Sequence, residues 1–80
     1  MESVELKLRE INNSKFVTAH TKYIIDILDE PELAIEVKAG QISEDVSRLV
    51  ESLGYHIVST RPMAGWNRLT AVKQNDKVPG

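Results

Sequence analysis

Apolar and polar residues alternate from the start of the chain: Val4, Leu6 and Leu8 against Glu5, Lys7 and Arg9. A period of two is that of a strand with one buried face. Asn12-Asn13-Ser14 then supplies turn and helix-capping chemistry. From Phe16 the period lengthens, and Phe16, His20, Tyr23/Ile24 and Ile27/Leu28 fall on one helical face. This predicts an amphipathic helix of about three turns with that face apolar. Asp29-Glu30-Pro31 ends it, because proline disfavours helix in the residue before it.

Leu33, Ile35, Val37 and Ala39 alternate with Glu36 and Lys38, predicting a second strand that Gly40-Gln41 breaks. Ser43 is the expected N-cap of a second helix, with Glu44 and Asp45 placed to meet its dipole. Val46, Leu49, Val50 and Leu53 form its apolar stripe, and Gly54 fits the position just past its end. Tyr55–Thr60 reads as a third strand, Arg61-Pro62-Met63-Ala64-Gly65 as a turn or loop, and Trp66–Lys73 as a fourth strand in a hairpin with the third. The order β-α-β-α-β-β, with right-handed crossovers, predicts an α+β fold. It is a two-layer sandwich with both helices on one face of a four-stranded mixed sheet. Residues 1–73 are expected to form one domain, and residues 74–80 a flexible tail.

Composition narrows the chemistry more than the fold. Eighty residues with 41% hydrophobic and 28% charged content describe one small globular domain. No cysteine is present, which excludes disulfides, zinc-thiolate sites, iron–sulfur ligation and persulfide chemistry. There is no apolar run of membrane-spanning length. Met1-Glu2-Ser3 lacks the basic and apolar regions of a signal peptide. The expectation is therefore a cytoplasmic protein without membrane contact. The net charge of −2 is unevenly spread: residues 1–51 carry −5 and residues 52–80 carry +3. That disfavours a broadly basic nucleic-acid binder but leaves room for a local basic patch.

The element order and lengths resemble the TusA/SirA family of small sulfur-transfer proteins over roughly residues 4–73. The closest stretch is Ser43–Leu53 followed by Gly54-Tyr55-His56-Ile57-Val58, similar to that family's second helix and its Gly-His-x-Leu-Leu strand entry. The family carries Cys-Pro-x-Pro before its first helix, and that cysteine bears the transferred sulfur. Here the segment reads Asn13-Ser14-Lys15-Phe16, and a serine hydroxyl cannot form a persulfide. The resemblance thus implies the scaffold without the carrier activity, as in the family's cysteine-less relatives. A second resemblance rests on Leu8-Arg9, Phe16, Thr18, Lys22, Ile24 and Leu28, spaced like the opening of the C-terminal domain of bacterial translation initiation factor three. That domain and the Alba chromatin proteins share the element order, but both are basic where this chain is acidic.

Two clusters are candidate ligand or partner sites. Asn13, Ser14 and Lys15 stand at a helix start, where backbone N–H groups and a lysine favour an anion; a plain helix cap is the competing reading. Arg61, Trp66 and Arg68 flank the hairpin turn, and tryptophan and arginine are the residues of binding hot spots and of base stacking; here the competing reading is a Trp closing the core edge beside solvated arginines. Ser14 with His20 lacks an orienting third group for catalysis, and His20 with His56 lacks a metal-ligand spacing. No catalytic residue, metal or cofactor is expected. The sequence therefore predicts a non-enzymatic binding module for a protein partner or a small anionic ligand, with an RNA- or ribosome-binding module as the alternative. Ligand identity and oligomeric state stay open at this level.

Overall fold

A computed structural model describes residues 4–28 and 30–74. The elements run β1 (Val4–Lys7), α1 (Ser14–Leu28), β2 (Glu32–Lys38), α2 (Gln41–Ser52), β3 (Tyr55–Pro62) and β4 (Trp66–Lys73). The four strands form one mixed sheet in the order β1-β2-β4-β3. β1 is parallel to β2, and β4 is antiparallel to both β2 and β3. This is the expected α+β sandwich. Leu6, Leu33, Ile35, Val37, Leu69, Ala71 and Tyr55 project from the sheet into one core. Val17 and Ile25 of α1 and Ile42, Val46 and Val50 of α2 meet them there.

Four details differ from the pattern-based expectation, each for a physical reason. The first is the buried face of α1. Val17, Thr21 and Ile25 are buried, while Phe16, Tyr23, Ile27 and Leu28 are exposed. The helix carries two apolar stripes, and the smaller, β-branched one fits the close approach to α2. The second is the start of α2. It begins at Gln41 behind Gly40, whose φ of 95° is one that a side chain disfavours. Ser43 is not a cap; it is buried inside the helix, and its hydroxyl accepts a hydrogen bond from Asn67 Nδ2 at 3.0 Å.

The third difference is that Arg61 and Pro62 belong to β3, not to a loop. Met63 N–H donates to the Trp66 carbonyl at 2.7 Å, so Ala64-Gly65 alone makes the turn, with Gly65 at φ 82°. The fourth is at β2, which spans Glu32–Lys38 and leaves Ala39 outside, exposed. Gly54, at φ 97°, stands just past α2 as expected. Gln74 N–H donates to the Gly54 carbonyl at 2.8 Å; the remainder of the expected tail, 75–80, lies outside the described residues. Among the described residues no helix is long and apolar enough to cross a membrane.

Candidate functional site

The helices cover one face of the sheet. The residues that alternate with the core positions line the other, and the strand register sorts them into rows. One row crosses all four strands: Lys7, Glu36, Arg68, Arg61. The next row toward the β3–β4 turn contains Lys38 opposite Trp66, with Arg9 just beyond the end of β1. The row on the other side holds Glu5, Ala34, Thr70 and Ser59, and the last holds Glu32, Val72 and His56. Cations therefore gather at the turn end of this open face, and Glu5 and Glu32 lie toward the opposite end.

A β-bulge places Arg61 in that set. Ile57 pairs with Ala71 but Ser59 pairs with Thr70, so the register shifts by one between them. Tyr55 and Ile57 face the core before the bulge. Without the shift, continued alternation would turn Arg61 toward the helices. With it, Arg61 stands directly opposite Arg68 on the open face, the re-aiming that bulges commonly perform.

Glu36 is the anchor. Its side chain is only 7% exposed, although it lies on the uncovered side of the sheet. Arg68 Nη1 donates to Glu36 Oε2 at 2.6 Å, and Arg68 Nη2 reaches Glu5 at 3.2 Å. Arg9 Nε lies 3.8 Å from Glu36 Oε1, too far for a hydrogen bond, and that oxygen has no hydrogen-bond partner. The Arg9 guanidinium instead stacks over the Trp66 ring, 4.4 Å from its centroid, a favourable cation–π distance. Burial of a carboxylate is costly unless charge and hydrogen bonds compensate it; here two arginines do so.

Beside this network lies an open depression of about 480 Å³ lined by Arg9, Glu10, Lys38, Ala64, Gly65 and Trp66. The Ala39 N–H donates to the Gly65 carbonyl at 3.3 Å, which ties the turn to the end of β2 and fixes one wall. Lys38 and Arg61 make no ion pair among the described residues. Lys38, directly opposite Trp66, and Arg61, one row away opposite Arg68, are thus free to meet an anion.

The two predicted clusters separate in space. Arg61, Trp66 and Arg68 come together on the open face. Asn13, Ser14 and Lys15 sit on the helix side, and the first two are engaged within the protein. Asn13 Oδ1 accepts the Phe16 N–H at 3.0 Å, an ordinary N-cap. Ser14 Oγ donates to Asp45 Oδ2 at 2.5 Å, and Gln41 Nε2 donates to Asp45 Oδ1 at 2.8 Å. These two hydrogen bonds, Ser14 first, with Arg48 nearby, hold the Asp45 carboxyl below its usual range. His20 stacks on Phe16 with ring centroids 5.9 Å apart and is not bonded to Ser14. His56 lies on the opposite side of the sheet from α1. Among the described residues no group of three or more His, Asp or Glu side chains could hold a metal ion.

Reading the sequence missed Arg9, Glu36 and Lys38. The available signal was the strand alternation itself, which sets Glu5, Lys7 and Arg9, and Glu36 and Lys38, on the face opposite the apolar residues. No family model matches the chain, and no curated protein or solved structure matches it.

Proposed function

We propose that this chain is a non-catalytic binding module that takes a small, phosphate-bearing anion at the turn end of its open sheet face. Lys38 and Arg61 supply charge, Trp66 supplies a stacking surface, and Arg68 and Arg9, held by Glu36, keep that surface in place. The observation that supports the reading most is Lys38, directly opposite Trp66 and without an ion pair among the described residues, in the wall of an open depression. The depression is lined by the cations Arg9 and Lys38, the carboxylate Glu10 and the indole of Trp66. The TusA/SirA-like scaffold fits this reading in a chain whose Asn13-Ser14-Lys15-Phe16 replaces the thiol motif.

A second reading is RNA binding, favoured by the position of Trp66 among cations, an arrangement that stacks bases while cations track the backbone. Trp66 is the single tryptophan, so its emission reports on the site without a label. Pyrophosphate and a short single-stranded RNA, each titrated at low and at moderate salt, separate the two. A saturating change with pyrophosphate supports the first reading. A change with RNA alone, lost steeply as salt rises, transfers the site to the second. No change with either ligand at low salt contradicts both.

A further inference from the structure

The exposed stripe of α1 has no role in the open-face site, and its form is specific. Phe16, His20, Tyr23 and Ile27 stand at i, i+4, i+7 and i+11, one narrow line along the helix. Phe16 is 53% exposed, Tyr23 62% and Ile27 55%. The stacked rings of Phe16 and His20 make the N-terminal half of the line continuous. We propose that this stripe is the interface of a homodimer, in which α1 packs antiparallel against α1 of a second copy across a two-fold axis.

Three observations select a second copy as the occupant. The stripe is self-complementary when reversed. With the axis passing between its two halves, Phe16 meets the partner's Ile27 and His20 meets the partner's Tyr23, so each large side chain faces another.

The charges of α1 are also arranged against its own dipole. The first turn has no acidic residue and the last turn no basic one; Lys15 stands in the first and Asp26 in the last. Each is unfavourable in an isolated helix. Lys15 and Asp26 lie on the same flank of the stripe, and a two-fold between antiparallel helices sets like flanks together. Lys15 then reaches the partner's Asp26, and the reverse pair forms by symmetry. Lys15 has no ion pair among the described residues. Among the described residues Asp26 is held only by Lys22, 3.3 Å away at an exposed i,i+4 spacing.

The area is also of the right order. If a large side chain presents about 200 Å² when fully exposed, Phe16, Tyr23 and Ile27 leave roughly 340 Å² on each copy. With His20 and the Lys15 stem the pair buries roughly 900 Å², the size of a weak, transient interface. Association is therefore expected to depend on concentration.

Sedimentation equilibrium of the full chain tests this directly. The expected result is a mass that rises from monomer to dimer between about 1 and 500 µM, the range of a small interface. Tyr23→Glu puts a charge in the middle of the stripe and is expected to stay monomeric throughout, with an unchanged circular dichroism spectrum. Lys15→Asp keeps the test meaningful if that variant folds poorly. It places a carboxylate where the dipole favours one, so a purely intramolecular role predicts equal or higher thermal stability and unchanged association. The dimer predicts equal or higher thermal stability with a dissociation constant raised about tenfold, since both symmetric pairs become repulsive. A wild-type chain that is monomeric at every concentration overturns the proposal and leaves the stripe to another occupant. Wild-type association by folded Tyr23→Glu, or by Lys15→Asp, overturns it equally.

Discussion

The two faces of the sheet are closed by opposite means. On the helix side, Leu33, Ile35, Val37 and Leu69 are removed from water by α1 and α2, and the stabilisation is the general one of burying apolar area. On the open side no helix lies over Glu36. It is buried by long charged side chains from neighbouring strands, whose stems cover the sheet while their heads meet one carboxylate or the solvent. The first arrangement leaves nothing to recognise. The second leaves cations in fixed positions at the surface, because the network that closes the face also orders it.

Adjacent residues of β4 expose this difference. Leu69→Ala, on the helix side, deletes a fully buried side chain and is expected to cost about 3 kcal/mol through lost burial and the cavity left behind. That is a large fraction of the stability of so small a domain. Arg68→Ala, one residue away on the open side, leaves Glu36 with Arg9, 3.8 Å away, as its remaining ion-pair partner among the described residues. Its expected cost is about 2 kcal/mol, kept below the figure for a fully buried pair because Arg68 is 30% exposed. The two losses differ in kind. Adding Glu36→Gln to Arg68→Ala removes the stranded charge and is expected to recover about 1 kcal/mol, whereas the same change in the Leu69→Ala background recovers nothing. Urea unfolding of the four variants reads all of these, and equal recovery in both backgrounds would remove the distinction between the faces.

A smaller effect concerns the helix side at α1 and α2. The Asp45 carboxyl is held below its ordinary value chiefly by the Ser14 hydroxyl, then by Gln41 and Arg48. A depressed folded pKa contributes stability that is present above the unfolded value of about 3.9. That contribution is lost as pH falls through the folded value. Ser14→Ala is therefore expected to lower stability at neutral pH and to flatten its decline on acidification. Unfolding curves at neutral and acidic pH check this; an unchanged acid slope would mean that the Ser14–Asp45 bond has no part in linking the helices.

How much of this could be read from the chain depends on which physical rule fixed each feature. The element order and the apolar stripe of α2 were readable because one periodic signal dominated each segment. The face of α1 was not, since Phe16-His20-Tyr23-Ile27 is as regular as Val17-Thr21-Ile25 and is the more hydrophobic of the two. Period alone cannot choose between two stripes when a threonine occupies the buried one. Ser43 carried a strong capping signal, yet the glycine before Gln41 allowed the chain to turn earlier and left the hydroxyl for Asn67. Trp66 and Arg68 share a face by strand alternation, but Arg61's place on it was not readable, because it depends on an unpaired residue between Ile57 and Ser59 that no local preference announces. The partners of Arg68 lie in β1 and β2, so its role in holding Glu36 is a property of the register.

On the proposed reading, recognition belongs to the turn end of the open face and not to the protein's charge as a whole. Lys38→Glu and Lys22→Glu change the net charge equally, the first beside Trp66 and the second on exposed α1. Each is titrated with the ligand that changes Trp66 emission in the wild-type protein, and the dissociation constants are compared. The account predicts that Lys38→Glu weakens binding at least about tenfold, the equivalent of one lost charge-assisted contact, while Lys22→Glu leaves it within about twofold. Equal weakening by the two substitutions, or no weakening by Lys38→Glu, would contradict it.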